Sequence, residues 1–193
     1  QAQIVGQYFD TELNFDWNSY ADKITKDIRM VVVENPNGFL GIGPSLEHMK
    51  IIIKKAHALG VIVLVDEAYF HFHDITVADL IERYDNLIIV RTFSKAFGLA
   101  GLRAGYLISQ SKNIDYLKRV RPAYEITSMT AFMISELLNN FDEVLTYIND
   151  TKENLKMLRQ GLSELGVITS DSKANFIAAR LGKERIHDKL RKV

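Results

Sequence analysis

Reactive and polar side chains cluster in residues 91–103, directly after a short apolar run. The run is rich in β-branched residues, which predicts a buried strand. Lys95 therefore follows the carboxyl end of a strand, where loss of water favours the neutral, nucleophilic amine that Schiff-base chemistry requires. Thr92 and Ser94 add hydroxyl groups, and Arg103 adds a planar set of donors that suits a phosphate.

Polar residues also follow two other predicted strands. Residues 30–33 and 61–65 are apolar runs that predict strands buried on both faces. Asn37 follows the first run, and Asp66 and Tyr69 follow the second. In open parallel sheets, ligands bind outside the carboxyl ends of the strands. The sequence thus predicts that an amine, a carboxylate, a phenol and an amide lie along one edge of a sheet.

Each of these residues also has an ordinary structural explanation. Lys95 is equally typical of a solvated loop, Asp66 of a helix N-cap, and Asn37 of a turn. His71 and His73 alternate without a third ligand at a suitable spacing, so they are interpreted as loop or rim residues and no metal site is predicted. The convergence at one edge favours the functional interpretation.

Composition narrows the class of protein. The chain has 193 residues, 24 basic and 24 acidic side chains, and no cysteine. Balanced charge does not favour binding to nucleic acid or to a membrane surface. The lack of cysteine excludes disulfides and thiolate metal sites and is compatible with a cytoplasmic location. No apolar run is long enough to span a bilayer, so no membrane association is predicted.

Strands and helices alternate through the first two thirds of the chain. This pattern predicts the α/β class, with a mostly parallel sheet and helices on both faces. The strand at 104–109 follows its predecessor too closely for a crossover helix and is expected to be an antiparallel edge strand. Strands are also predicted at 4–9 and 174–179, and helices at 14–26, 44–60, 75–84, 112–121, 129–139 and 141–165. The helix at 129–139 is apolar all round and is expected to be packed, and the charged segment 183–193 begins a further helix.

One ligand would use all of these groups: a flat, phosphorylated aldehyde with a ring nitrogen. Lys95 would form an imine with it, and Asp66 would pair with the protonated ring nitrogen so that the ring accepts electrons. Tyr69 and Asn37 would bond the ring oxygen, while the hydroxyls and guanidinium of residues 91–103 would hold the phosphate. This cofactor is pyridoxal 5'-phosphate. A nicotinamide cofactor is disfavoured because no G-x-G-x-x-G follows a first strand.

Residues 66–69 (DEAY) and 91–105 (RTFSKAFGLAGLRAG) resemble the fold-type I aminotransferases of class I/II. Within these, the chain is most similar to the histidinol-phosphate aminotransferase branch, which shares the spacing of eight residues between Lys95 and Arg103. The resemblance implies Lys95 as Schiff-base lysine and proton shuttle, and Asp66 as partner of the pyridinium. It also implies Tyr69 at the ring oxygen and Thr92, Ser94 and Arg103 at the phosphate.

The sequence departs from the family pattern after the first strand. The family usually carries Asn-Pro-Thr-Gly there, with its asparagine on the ring oxygen. Without a gap, Gly38 aligns with that asparagine. Either Asn37 replaces it through a shifted backbone, or the contact is lost.

The family also runs to roughly 350 residues in two domains, so the chain is interpreted as a fragment. Residues 1–140 are expected to form part of the large cofactor-binding domain, and 141–193 a connecting helix and the beginning of the small domain. The resemblance implies a homodimer. An amino-terminal phosphate loop and a carboxyl-terminal arginine for the substrate carboxylate are expected to be missing.

The function predicted on this basis is amino-group transfer in amino-acid biosynthesis. The donor is an amino acid or a phosphorylated amine such as histidinol phosphate, and the acceptor is a 2-oxo acid. Two alternatives stay open: a decarboxylase of a phosphorylated amino acid on the same fold, and a non-catalytic fragment without cofactor.

Overall fold

A four-stranded sheet forms the centre of the protein. The computed structural model describes residues 3–180. The strands are β1 (Met30–Glu34), β2 (Ile62–Asp66), β3 (Leu87–Thr92) and β4 (Gly105–Ile108), in the spatial order β1-β2-β3-β4. The first three are parallel, and β4 is antiparallel to β3. The predicted mostly parallel sheet with an antiparallel edge strand is confirmed.

Two helices cover one face of this sheet. α1 (Trp17–Asp22) is capped by the Asp16 carboxylate, and α2 (Leu46–Ala58) by the Ser45 hydroxyl. The inner face of α2 is completely buried, and the strand residues that point towards it are buried as well. These are Met49, Ile52, Ile53 and Ala56 on the helix, and Val31, Val33, Val63, Val65, Leu87 and Ile89 on the strands.

The opposite face of the sheet is more open. Its alternate strand residues include Met30, Val32, Ile62 and Leu107, which are exposed within the described part of the chain. Strands covered on both faces were predicted from the same apolar runs. In residues 3–180, helices α1 and α2 pack on the first face, and this second face keeps its apolar side chains exposed or half-buried.

Three helices and a small sheet follow β4. The helices are α3 (Ser111–Leu117), α4 (Ser128–Asn139) and α5 (Phe141–Glu164). The first turns of α5 bury Val144 and Ile148 against aromatic residues of the loops after β2 and β3. Short strands β5 (Ile168–Thr169) and β6 (Ala179–Arg180) form a separate antiparallel pair. The domain boundary at residue 140 stays a prediction.

Several local predictions were wrong. The helix expected over 75–84 is only a short 3₁₀ turn, Ala78–Leu80. The Val77 amide directly before this turn donates to the Glu67 carboxylate. The segment 4–9 forms no strand, since no neighbouring strand within the described residues pairs with it. The strand expected over 174–179 begins only at Ala179.

Helix α4 also differs from its prediction. Thr130 is its one buried residue, whereas Met129 and Phe132 are largely exposed. An apolar surface shows that a helix can be buried, but it does not identify the elements that would cover the helix. The predicted helix in 183–193 lies outside the described residues. None of the helices in residues 3–180 is both long and apolar enough to cross a membrane.

The contact between α2 and the sheet makes a direct stability prediction. Ile52 is 0% exposed, and its chain neighbour Ile51 is 42% exposed on the same helix. Ile52→Ala is expected to lower the free energy of unfolding by about 2–5 kcal/mol, because it leaves a cavity in a packed core. Ile51→Ala, the matched control, should lower it by less than about 1 kcal/mol. Urea denaturation of both variants checks this, and equal losses would contradict the packing described.

Candidate active site

The predicted site residues lie at strand ends and in loops at one edge of the sheet. Parallel pairing brings the carboxyl ends of β1, β2 and β3 to this edge, and the antiparallel β4 begins there, since Gly105 pairs with Thr92. The topology therefore places all seven residues at the same edge: Asn37, Asp66, Tyr69, Thr92, Ser94, Lys95 and Arg103.

Lys95 and Tyr69 are brought together by the loops after β3 and β2. The Lys95 Nζ lies 5.2 Å from the centroid of the Tyr69 ring, and the lysine is half-buried. The Tyr69 ring is itself buried and meets Phe176 edge-on, with 5.7 Å between ring centroids. The amine thus lies beside a buried aromatic ring. It takes no part in the ion pairs formed among residues 3–180.

Asp66 ends β2 and is half-buried. Burial raises the pKa of its carboxyl group above the usual 3.8, and the nearby charge of Glu34 raises it further. The Ala68 amide, which donates to Oδ1 over 2.9 Å, and the charge of Lys95 act in the opposite direction. Asp66 caps a turn rather than an α-helix, and its charge interacts with that of Lys95 across the edge.

The residues assigned to a phosphate surround the start of the loop after β3. The Thr92 hydroxyl donates to the Ala104 carbonyl over 3.2 Å and accepts from the Ser94 amide over 3.0 Å. Arg103 is exposed and uses one guanidinium nitrogen on the Ala100 carbonyl. Its φ of 51° lies in the left-handed region, which costs a non-glycine residue roughly 1 kcal/mol or more. Gly105 is needed nearby, since a Cβ there would lie 2.6 Å from the Arg91 carbonyl oxygen.

Asn37 is occupied by its own loop. Its Oδ1 accepts from the amides of Phe39 and Leu40, and its Nδ2 donates to the Ile42 carbonyl. The aligned Gly38 carries no side chain, and its amide donates to Glu34. The geometry therefore favours loss of the ring-oxygen contact over its replacement by Asn37, and that assignment of Asn37 stays a prediction.

His71 and His73 lie in the loop after β2, and His71 packs against aromatic residues. Burial lowers the pKa of His71, whose ring lies 5.0 Å from Phe97 and 5.7 Å from Phe141. His73 lies in the loop after β2, in agreement with the prediction of a loop or rim residue, but it is buried, and burial lowers its pKa as well. Among the described residues, no group of three or more potential ligands is placed to hold a metal ion.

Sequence reasoning gave no role to Glu67 and Arg91, which form a buried ion pair beneath the edge. The Arg91 Nη2 lies 2.8 Å from Oε2 of Glu67. The available signal was an acidic residue and a basic residue at the ends of neighbouring apolar strands. Their pairing required the sheet order, because the two residues are 24 positions apart in the chain.

A cavity of about 550 Å³ is lined by the segment 11–14, the loop after β1 around Leu40, and the strands β5 and β6. None of the seven predicted site residues lines this cavity.

Comparison with known proteins settles the family. The family model for aminotransferases of class I and II matches residues 3–193. The chain belongs to this family. Histidinol-phosphate aminotransferase from Thermoanaerobacter sp. is 37% identical over 171 residues, which cover 88% of this chain and 48% of that protein. The chain thus spans about half the length of the curated relatives it matches.

Solved structures confirm the fold. The histidinol-phosphate aminotransferase of Clostridium acetobutylicum superposes with a TM-score of 0.87 and 25% identity, covering 97% of this chain and 59% of that one. A decarboxylase from Sulfurospirillum multivorans gives a TM-score of 0.78 and 26% identity, covering 90% and 52%. The Sinorhizobium meliloti histidinol-phosphate aminotransferase, solved in complex with pyridoxal-5'-phosphate, gives 0.82 and 19%, covering 94% and 50%. Pyridoxal phosphate is the cofactor of this family.

The raised pKa of Asp66 predicts how stability depends on pH. Because the folded chain disfavours the ionised carboxylate, the wild type loses stability as pH rises from 3.8 through the pKa of folded Asp66. Asp66→Asn keeps the acceptor for the Ala68 amide and removes the charge. The variant should therefore melt at a slightly higher temperature than the cofactor-free wild type at pH 7, with the difference vanishing below pH 3.8.

Thermal melts at a series of pH values check this prediction. The exposed Asp79 provides the control, since Asp79→Asn should show no such pH-dependent gain. Equal melting temperatures for Asp66→Asn and the wild type at pH 7 would contradict the described burial of Asp66.

Proposed function

We propose that this chain carries the cofactor-binding and catalytic lysine half of a pyridoxal-phosphate-dependent aminotransferase. The enzyme moves an amino group between an amino acid, or a phosphorylated amine such as histidinol phosphate, and a 2-oxo acid. The observation that carries the proposal is the Lys95 amine, which lies beside the buried Tyr69 ring and interacts with the charge of the half-buried Asp66. Membership of the class I and II aminotransferase family supports it.

The residues at the edge fit the cofactor. A half-buried carboxylate whose pKa is raised by burial gains from a cation beside it, and the protonated ring nitrogen would be that cation. Ser94 and the exposed Arg103 offer a hydroxyl and a guanidinium for the phosphate, and Thr92 would join them by turning its hydroxyl proton away from the Ala104 carbonyl. When bound, the cofactor supplies an electron sink for a bond broken next to its nitrogen.

Four residues of the chain would then have separate roles in the reaction. Lys95 Nζ would hold the cofactor at its aldehyde carbon, with release of water, and would then carry a proton from the substrate Cα to that cofactor carbon. Asp66 would keep the ring nitrogen protonated, and Tyr69 would hold the ring and bind its oxygen. The exposed guanidinium of Arg103 would bind the phosphate, so that the ring is held in one orientation beside Lys95.

A decarboxylase is the second candidate. The Sulfurospirillum multivorans decarboxylase has the same fold at 26% identity, and the same lysine and carboxylate would serve that reaction. The third is a non-catalytic fragment, because the chain spans about half the length of its relatives. The homodimer and the cytoplasmic location stay predictions of the family resemblance and the composition.

Cofactor attachment tests the central assignment. With added pyridoxal phosphate, the chain should develop a yellow absorption, and borohydride reduction should fix the label on the peptide that contains Lys95. Lys95→Ala should abolish the absorption while leaving the fold intact, whereas Lys54→Ala on the exposed side of α2 should keep it. A label on another lysine, or none on any peptide, would overturn the proposed function.

The reaction products separate the three candidates. The chain is incubated with pyridoxal phosphate, histidinol phosphate and a 2-oxo acid, or with a phosphorylated amino acid alone. We expect an amino acid to form from the 2-oxo acid, with no carbon dioxide from the phosphorylated amino acid. Release of carbon dioxide would favour the decarboxylase. A Lys95 label without either product would identify a fragment that binds cofactor but does not catalyse.

A further inference from the structure

A buried ion pair lies directly behind two of the site residues. Asp66 is followed in the chain by Glu67, and Thr92 is preceded by Arg91. Neighbouring residues of an extended chain point to opposite faces of a sheet. Glu67 and Arg91 accordingly lie on the helix-covered face, where their side chains are 0% and 11% exposed, whereas Asp66 and Thr92 lie on the other face.

The ion pair is held by a full set of hydrogen bonds. Oε2 of Glu67 accepts from Arg91 Nε over 3.0 Å, from Arg91 Nη2 over 2.8 Å and from the Thr76 hydroxyl over 2.9 Å. Oε1 accepts from the Val77 amide over 3.0 Å. The guanidinium also stacks on Phe70, with 3.4 Å between Cζ and the ring centroid. Neither charge can shift without breaking several contacts.

Stability alone is a weak reason for such a pair. Burying two charges costs nearly as much free energy as their attraction returns, and apolar replacements are often as stable. What the pair adds here is a fixed geometry. It joins the end of β2 to β3 at the point where the Glu67 amide also donates to the Val90 carbonyl over 2.9 Å. The peptides that carry Asp66 and Thr92 are thereby fixed relative to each other.

We propose that Glu67 and Arg91 are positioning residues, whose ion pair sets the distance between the ring-nitrogen partner Asp66 and the phosphate-binding hydroxyls at Thr92 and Ser94. This proposal rests on the proposed function. The pair touches neither cofactor nor substrate. It acts through the backbone, so that one rigid ligand meets both groups at once.

The test uses a double variant, Glu67→Gln with Arg91→Met. A single substitution would leave one buried charge uncompensated and risk unfolding. In the double variant, glutamine still accepts from the Val77 amide and donates to Thr76, and methionine fills the space of the arginine stem. The variant should melt within about 5 °C of the wild type. The matched control removes an exposed ion pair, Asp115→Asn with Lys118→Met.

The first measurement needs no cofactor. Amide hydrogen exchange should speed up at Ala68, which donates to Asp66, and at Ser94, which donates to Thr92. Exchange at the buried Val63 in the centre of β2 should stay as in the wild type. Unchanged exchange at Ala68 and Ser94 in a folded double variant would overturn the proposal, whatever the cofactor does.

The second measurement compares pyridoxal phosphate with pyridoxal, which lacks the phosphate. The dissociation constant of pyridoxal divided by that of pyridoxal phosphate reports how much the phosphate adds to binding when the ring is in place. We expect this ratio to fall about tenfold in the double variant and to stay unchanged in the control. If the ion pair has only a structural role, the double variant should bind both ligands more weakly by the same factor. An unchanged ratio would therefore overturn the positioning role.

The two measurements separate this proposal from the proposed function. If neither ligand binds the wild type while exchange still speeds up at Ala68 and Ser94, the proposed function fails and the positioning of these loops by the ion pair stands. If the wild type binds pyridoxal phosphate more tightly than pyridoxal and the double variant shows the same ratio, the proposed function stands and the positioning proposal fails.

Discussion

The register of three parallel strands is the constraint on which the rest of the structure depends. Asp66 is level with Glu34 on one side and with Val90 on the other. The register is held by the inward side chains of the strands, which are buried against α2. A slip of one residue in β2 would turn every side chain to the other face. Glu67 would then point to the site and leave Arg91, and Asp66 would point to the helix-covered face.

The same register explains the electrostatics of the edge. Burial and Glu34 oppose ionisation of Asp66, whereas the Ala68 amide and Lys95 support it. The nearby Arg103 has a left-handed backbone conformation that residues other than glycine rarely adopt. Both features cost stability in the cofactor-free chain, and both would be offset by a ligand that brings a cation to Asp66 and an anion to Arg103. Strained or destabilised groups of this kind are typical of binding sites.

The site could be predicted where it depends on local pattern. Asp66, Thr92 and Lys95 lie within a few residues of the carboxyl ends of apolar runs, so their place at one edge follows from parallel pairing. Asn37 could not be judged in this way, since the hydrogen bonds that occupy its side chain depend on how its loop closes. Glu67 and Arg91 were missed because their partnership joins neighbouring strands that are far apart in sequence.

The sequence by itself determined the α/β class, the four strands of the sheet and the chemistry along its edge, because apolar periodicity and residue type are local properties. It could not decide what covers an apolar surface. Helix α4 was expected to be buried and is largely exposed, and the segment 75–84, which was expected to be a helix, contains only the 3₁₀ turn Ala78–Leu80. Those outcomes depend on partners distant in the chain. Only the tertiary structure decided them, since burial and hydrogen bonding are settled by which surfaces finally meet.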